Sequence, residues 1–354
     1  MLASPAVTTL SSERPGHATL REVARRARVS IKTASRVANR EPNVAGATRR
    51  RVEQAIRSLG YRPNGLARSM RTRRSDTLGL IVPSIRNPFY PAIARGVEDV
   101  AREHGRSVFV TSADRDPDKE KHYIALLVDK RVDGIILGSP VVRPAALEPA
   151  RAAGIAVVAM NPDVALPGAT TLRIDNRAAA VLMTRYLIEL GHREIGYIDG
   201  IPTLSRCRAR LDGYRAGLAE VGLAADPELI EPGEFDYAAA YQAARKLLER
   251  RPAVTCLFAG NDLMAMGAMA AGLDLGLRIP TDLSVAGFDD IDLAAVVRPS
   301  LTTVHQPNYE MGRLAAESIL DPERRGGPRV RSLPTRIEVR QSTAAPRPGR
   351  ATTT

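Results

Sequence analysis

Apolar residues near the start of the chain recur at helical spacing. Leu20, Val23, Ala24 and Ala27 fall at i, i+3, i+4 and i+7, the stripe of one buried helix face, with Thr19 placed to cap it. Beyond a turn at Arg28-Val29, Ser30 is placed to cap a second helix. Its Ala34, Val37 and Ala38 turn inward and leave Lys32, Ser35, Arg36 and Asn39 on the opposite face. A third stripe, Val52, Ala55, Ile56 and Leu59, ends at Gly60, a residue suited to the left-handed position that closes a helix. The pattern predicts an all-α helix-turn-helix head over residues 18–63. Pro63 then stops the helical pattern, and Asn64 is placed to cap a piece running to Met70. That piece is too short to hold a helix alone in water, so residues 64–76 read as a linker that needs a partner to fold.

From residue 77 the period changes. Short apolar runs alternate with helix-length amphipathic ones: TLGLIV, helix 90–104, SVFVTS, helix 119–131, GIILG, helix 145–153 and IAVVAM. After 176 the scheme repeats, with helix 177–190, EIGYID, helices 207–221 and 237–250, VTCLFA, helix 262–275 and LSVAGF. Such alternation predicts parallel sheets flanked by helices, and two sets predict two doubly wound α/β lobes. The expected N-lobe covers about 77–176 and 306–334, the C-lobe about 177–305 and 335–343. Residues 1–17 and 344–354 read as flexible ends. In open α/β sheets ligands bind beyond the carboxyl ends of the strands, which directs attention to IRNPFY, MNPD, LSRCRARLDGY, GEFDYAAAY, AGNDLMAMG and GFDDID.

Charge changes the picture of the head. The 354-residue chain has a net charge of +12. Residues 1–74 hold 17 Lys and Arg against 4 Asp and Glu, whereas residues 75–354 hold 34 against 35. All the excess positive charge therefore sits in the head, the footprint of a polyanion-binding module on a neutral body. The outward face of the second helix offers donors for phosphates and base edges, as a recognition helix in a major groove requires.

Other classes find little support. The chain has no apolar run long enough to span a membrane, and MLASPAVTTLSSERPGHA has no apolar core suited to a secretory signal, so a cytoplasmic location is expected. Cys207, Cys256 and the five His have no metal-ligand spacing, and neither a disulfide, a metal nor a cofactor is expected. No nucleophile elbow, phosphate-binding loop or dinucleotide fingerprint stands at a strand end, which argues against an enzyme.

The stretch TLREVARRARVSIKTASRVANR, followed by VEQAIRSLGYRPNGLARSMRT, resembles the head of the lactose-repressor (LacI/GalR) family of bacterial transcription regulators. NPFY, GHREIGYI, RLDGY, NDLMAMGAM, GLRIPTDLSVAGFDDID, RPSLTTVHQP and LPTRIEVRQST extend the likeness to the family's body, which is similar to periplasmic sugar-binding proteins. The resemblance implies that Ile31, Lys32 and Arg36 read bases, with Ser30, Thr33, Ser35 and Asn39 on phosphates. Thr19, Asn64, Ala67 and Met70 join the same DNA-binding set, the segment 64–70 becoming a minor-groove helix only on DNA. Three positions depart from the family pattern: Arg28 replaces a turn Gly, Ala45 a capping Ser and Met70 a Leu.

In the body the resemblance implies effector contacts at Phe89, Tyr90, Asn161, Arg206, Arg210, Phe235, Asn261 and Asp289. Aromatic faces with amides, carboxylates and guanidinium groups suit a sugar or sugar derivative, whose hydroxyls need donors and acceptors and whose ring face needs an aromatic. Arg206 stands where a small hydroxyl residue is commoner, which admits either an acidic or phosphorylated ligand or only a charged rim. His305 replaces an Arg before QP. The implied protein is a homodimeric, effector-responsive regulator, a repressor, on a pseudo-palindromic operator. The tail AAPRPGRATTT shows no heptads and argues for a dimer over a tetramer. The competing reading is a sugar-binding uptake receptor, for which residues 19–74 would have no use.

Overall fold

A computed structural model describes residues 18–39, 41–61, 75–321 and 330–347. The chain divides into two compact units, residues 1–74 and 75–354. The expected N-terminal extension and the segment Asn64–Met70, with Asn64, Ala67 and Met70, lie outside the described residues.

The first unit contains α1 (Leu20–Arg26), α2 (Ile31–Ala38) and α3 (Gly46–Leu59). Val23, Ala24, Ala27, Ala34, Val37, Val52 and Ala55 form its core, with Leu20, Ile56 and Leu59 packed on the edge. Such small residues allow close helix approach, and the shared core fixes the three axes. Thr19 and Glu22 form a reciprocal capping box: the Glu22 amide donates to Thr19 Oγ1 (3.3 Å) and the Thr19 amide to Glu22 Oε2 (2.6 Å). Ser30 Oγ accepts from the Thr33 amide at the start of α2 (3.1 Å). Ala45 leaves α3 without a side-chain cap, and Gly60 closes it at φ 60°. Arg28, in place of a glycine, keeps a left-handed backbone at φ 52°.

The second unit holds two six-stranded sheets. The first contains β1 (Thr77–Val82), β2 (Ser107–Ser112), β3 (Gly134–Gly138), β4 (Ala156–Met160), β5 (Thr170–Ile174) and β11 (Val330–Leu333). It runs in the order β11-β5-β4-β3-β1-β2 and is parallel throughout. The second is built from β6 (Ile195–Asp199), β7 (Ile230–Pro232), β8 (Cys256–Ala259), β9 (Ser284–Asp289), β10 (Thr302–His305) and β12 (Arg336–Glu338). Its order is β12-β10-β9-β8-β6-β7, parallel except where β12 meets β10. Every residue of β1, β3, β6, β8 and β9 is buried, as helices on both faces of a parallel sheet require. The chain passes between the sheets after β5, after β10 and after β11, so three connections join the lobes at one end of a cleft.

Helices α4 (Phe89–Glu103), α5 (Pro117–Asp129), α6 (Glu148–Ala152), α7 (Asn176–Glu189), α8 (Ser205–Ala219), α9 (Tyr237–Arg250), α10 (Asp262–Asp274), α11 (Asp292–Val296) and α12 (Asn308–Leu320) cover the sheets. The expected helix over 145–153 is instead a 3₁₀ turn, Pro144–Leu147, followed by the short α6. The break follows from Pro144 and Pro149, which lack the amides a continuous ladder needs.

One boundary differs from expectation. Residues 344–347 read in sequence as part of a flexible tail, yet they are held to the C-lobe. The Ala344 amide donates to Ser284 Oγ (3.0 Å), its carbonyl lies 3.0 Å from His192 Nε2, and Arg347 pairs with Asp282. The backbone groups of Ala344 thus find their partners in side chains of the C-lobe.

Candidate functional site

In the head, α2 presents an exposed face bearing Ile31, Lys32 and Arg36, with Thr33, Ser35 and Asn39 beside them. Ile31 is 49% exposed and open to contact. Arg36 makes only a loose, exposed pair with Glu41 (3.7 Å). Several expected DNA-binding groups also have local partners. Thr19 sits in its capping box, Ser30 caps α2, and Asn39 Nδ2 donates to Ser35 Oγ (3.2 Å).

In the body, strand-end loops from both lobes surround a cavity of about 30 Å³. Phe89 and Tyr90 enter from the start of α4, edge to face with centroids 5.0 Å apart. Asn161, just past β4, takes φ 44° and accepts the Ile174 amide at Oδ1 (3.1 Å), which ties the cavity wall to the first lobe crossing. Phe235 follows Glu234 in the loop after β7, both left-handed at φ 59° and 55°. Two successive non-glycine residues there mark backbone held against its preference, and the result is a ring aimed at the cavity. Gly200 makes room for it, since a Cβ there would meet Phe235 Cζ at 2.8 Å.

Arg210, on α8, is the most constrained side chain of the site. Its Nε donates to Asn176 Oδ1 (2.8 Å) and its Nη1 to the Gly260 carbonyl. Nη1 also lies 3.6 Å from Asp289 Oδ1, and the guanidinium sits 3.6 Å from the centre of the Phe288 ring. Asp289, at the end of β9 with φ 123°, accepts from Gln306 Nε2 (2.6 Å), and its carbonyl accepts from Asn308 Nδ2 (3.1 Å). Burial raises the Asp289 carboxyl above its ordinary value, opposed by Arg210 and Gln306. The neighbouring Asp262 is driven up harder, first by burial and then by the charge of Asp289, while Thr303 and the Ile291 amide hold it. Two buried carboxyls this close favour one neutral member.

Seven of the eight expected effector residues thus line one cavity. The eighth, Asn261, does not: its Oδ1 accepts the Met264 amide (2.9 Å) as the N-cap of α10. A strand-end Asn before a helix serves equally as cap or ligand in sequence, and here the orphan helix amide takes it. Asn87, Arg115 and Ser139 also line the cavity and lie outside the expected set. Each follows a strand of the N-lobe, so the rule that ligands lie beyond strand ends points to their loops without choosing the residue. Arg208 turns outward instead, donating to the carbonyls of Pro202 and Thr203. His305 Nδ1 lies 2.7 Å from Asp290 Oδ2. Together with Glu338 these form a group of metal-ligand type among the described residues, but Arg340 and Arg336 already pair with the two carboxylates.

A basic helix-turn-helix unit joined to a two-lobed α/β unit with a polar, aromatic-walled cleft defines a ligand-responsive DNA-binding regulator. Residues 19–64 match the family described as bacterial regulatory proteins, lacI family. Residues 75–341 match periplasmic binding proteins and sugar binding domain of LacI family. The chain belongs to the LacI family of transcriptional regulators. It is 39% identical over 307 residues to the HTH-type transcriptional repressor CytR of Escherichia coli strain K12, covering 86% of this chain and 89% of the relative. It is 36% identical over 329 residues to catabolite control protein A of Priestia megaterium, covering 92% and 99%. Its fold matches the lac repressor dimer bound to operator and the anti-inducer ONPF at a TM-score of 0.84, with 26% identity and coverage of 93% and 100%. Among the described residues no helix is long and apolar enough to cross a membrane.

Proposed function

We propose that two copies of this chain repress transcription from a pseudo-palindromic operator, and that a small polar ring compound, a sugar or sugar derivative, controls them from the cleft. The observation that carries the reading is the convergence of Phe89, Phe235, Arg210 and Asp289 from four separate strand-end segments on one cavity, in a chain whose other unit exposes Ile31, Lys32 and Arg36 on one helix. The lac repressor neighbour is a dimer on operator, and another regulator, 34% identical with a TM-score of 0.68, is a complex with cellobiose. Acting on DNA places the protein in the cytoplasm, and its relatives are regulators rather than enzymes.

The cavity volume supports a mechanism. About 30 Å³ accommodates a water molecule or two, against the few hundred Å³ usual for small-molecule sites. A ring compound does not fit within that space alone; an adjoining cavity of about 700 Å³ shares Asn161 and Arg206 with it, so a ligand enters from that side or by a parting of the lobes. The lobes are also bonded across the cleft, where the Ser205 amide donates to Asp163 Oδ1. An effector that favours one lobe arrangement over another shifts their populations. Residues 62–74 carry the difference to the head. Ile31 and Arg36 choose the operator, Ser30 and Asn39 anchor the backbone, and Asn64, Ala67 and Met70 add further DNA contacts.

The uptake-receptor reading explains the cleft equally well but leaves the basic head without a role. Selection of bound DNA from a random pool, followed by a metabolite screen for release, tests the proposal. Enrichment of a dyad-symmetric site released by a small molecule supports it, and recovery of no preferred sequence refutes it.

A further inference from the structure

The cleft contains more positive charge than its own acids match. Of the guanidinium groups lining it, Arg210 is fully engaged with Asn176, Gly260 and Asp289. Arg206, only 9% exposed, and Arg115 form no ion pair within about 4 Å among the described residues, and Arg206 Nη1 and Arg115 Nε are buried without a hydrogen-bond partner. Both groups lie over the same ring, with Cζ 5.6 Å and 5.4 Å from the centroid of Phe235. Buried cationic donors are normally paired, so two unmatched ones facing one cavity are a feature to be explained.

The nearby acids act on these arginines without pairing with them: the charge of Arg206 is felt by Glu120 and Asp289, and Asp114, beside Arg115, pairs with Lys119. Glu120 accepts the Val141 and Val142 amides at Oε2 (3.0 and 2.9 Å), and burial raises its carboxyl toward neutrality. Asp163 accepts the Ser205 amide, and Asp289 faces Arg210 and Gln306. Arg206 stands in the first turn of α8, whose N-cap residue Leu204 offers no side-chain acceptor and whose first amide, that of Ser205, is taken by Asp163.

The geometry points to an effector that carries a compact anion, a phosphoryl or carboxylate group, gripped by Arg206 and Arg115 beside the Phe235 ring while its uncharged part meets Arg210 and Asp289. The inference rests on the reading that the cleft takes the effector, and it narrows the ligand class from neutral sugars to acidic or phosphorylated ones. Planar guanidinium groups match the oxygens of either anion in paired hydrogen bonds.

Calorimetric titration of the full-length protein in phosphate-free buffer tests it, with ribose 5-phosphate against ribose, glucose 6-phosphate against glucose, gluconate against glucose, and inorganic phosphate alone. The expected result is that a charged member binds at least about tenfold tighter than its neutral parent, and that Arg206→Ser reduces this preference to near unity. The phosphate and gluconate arms tell which anion is favoured. Anions bound by the basic head do so in both proteins and cancel from the comparison. Arg115→Gln provides a second variant should Arg206→Ser fold poorly, with melting curves as the check. Neutral parents binding as tightly as their charged partners, no charged compound binding, or a preference that survives both substitutions would each overturn the inference. Release of operator by neutral metabolites with anions inert would overturn it and leave the effector reading intact, whereas release by no fraction of a cell extract would overturn both.

Discussion

Replacing Asp289 with Asn removes one charge from the centre of the cleft and almost nothing else. Asn tolerates the positive φ at this position better than Ala, and the carbonyl that accepts Asn308 Nδ2 is unchanged. What is lost is the counter-charge 3.6 Å from Arg210, while the remaining amide oxygen can still accept from Gln306. Removing one partner of a buried ion pair costs about 3–5 kcal/mol. Arg210 keeps Asn176, the Gly260 carbonyl and the Phe288 ring, and burial already works against the charged form of Asp289, so the expected cost is about 2–3 kcal/mol. For a body of this size that lowers the melting temperature by about 3–5 °C and leaves the protein folded at about 25 °C. Anisotropy titration of labelled operator should then show ligand-free affinity near that of the parent, because no DNA contact has changed, while the effector no longer shifts it. An unchanged effector response in folded Asp289→Asn protein would remove this carboxylate from the site. Loss of ligand-free operator binding together with stability would make its role purely structural.

Three further outcomes are expected. Lys32→Ala and Arg36→Ala should each relax preference at one base position per half-site, at about 1–3 kcal/mol; a uniform loss over all sequences in a binding-site scan would make them phosphate contacts instead. Operator affinity should fall steeply with salt, by about 0.9 in log-log slope for each phosphate neutralised, and a flat salt series would contradict the charge reading of the head. Burial holds His192 at about 4, below its ordinary 6.5, while it contacts Thr255 and the Ala344 carbonyl. A depressed histidine means that the unfolded chain binds more protons, so stability is lost as pH falls through 6.5 toward 4. The loss between about pH 7 and 5 should be about 2 kcal/mol and should largely vanish in His192→Gln, as measured by denaturant unfolding followed by circular dichroism; equal pH slopes would refute it.

The three head helices were legible because short helices around a small core need strict apolar spacing, and Thr19, Ser30 and Gly60 stand where caps are needed. The buried central strands were legible as unbroken apolar runs such as TLGLIV and GIILG. Thr170–Ile174, Val330–Leu333 and Arg336–Glu338 were not, since strands toward a sheet margin carry polar residues and pair only through the backbone. The strap at 344–347 was invisible for the same reason: its attachment runs through Ala344 backbone atoms and His192, 152 positions away. In the cleft, seven of the residues singled out in strand-end loops came together, whereas Arg115 and Ser139 stand after β2 and β3 in loops that carry no distinctive composition. Asn261 shows the limit of local chemistry, because a cap and a ligand look alike until the helix that follows claims the side chain.

The claim that a ligand in the cleft governs DNA binding by the head is tested most directly by one linked measurement, the operator dissociation constant with and without saturating effector in the parent protein and in Phe235→Ala. Phe235 lines the cleft on a loop of its own and belongs to the body alone. The account predicts a change of about 5- to 150-fold in the parent and none in the variant at the same effector concentration. An effector that saturates the parent by calorimetry yet leaves its operator affinity unchanged, or one that acts equally on Phe235→Ala, would contradict it.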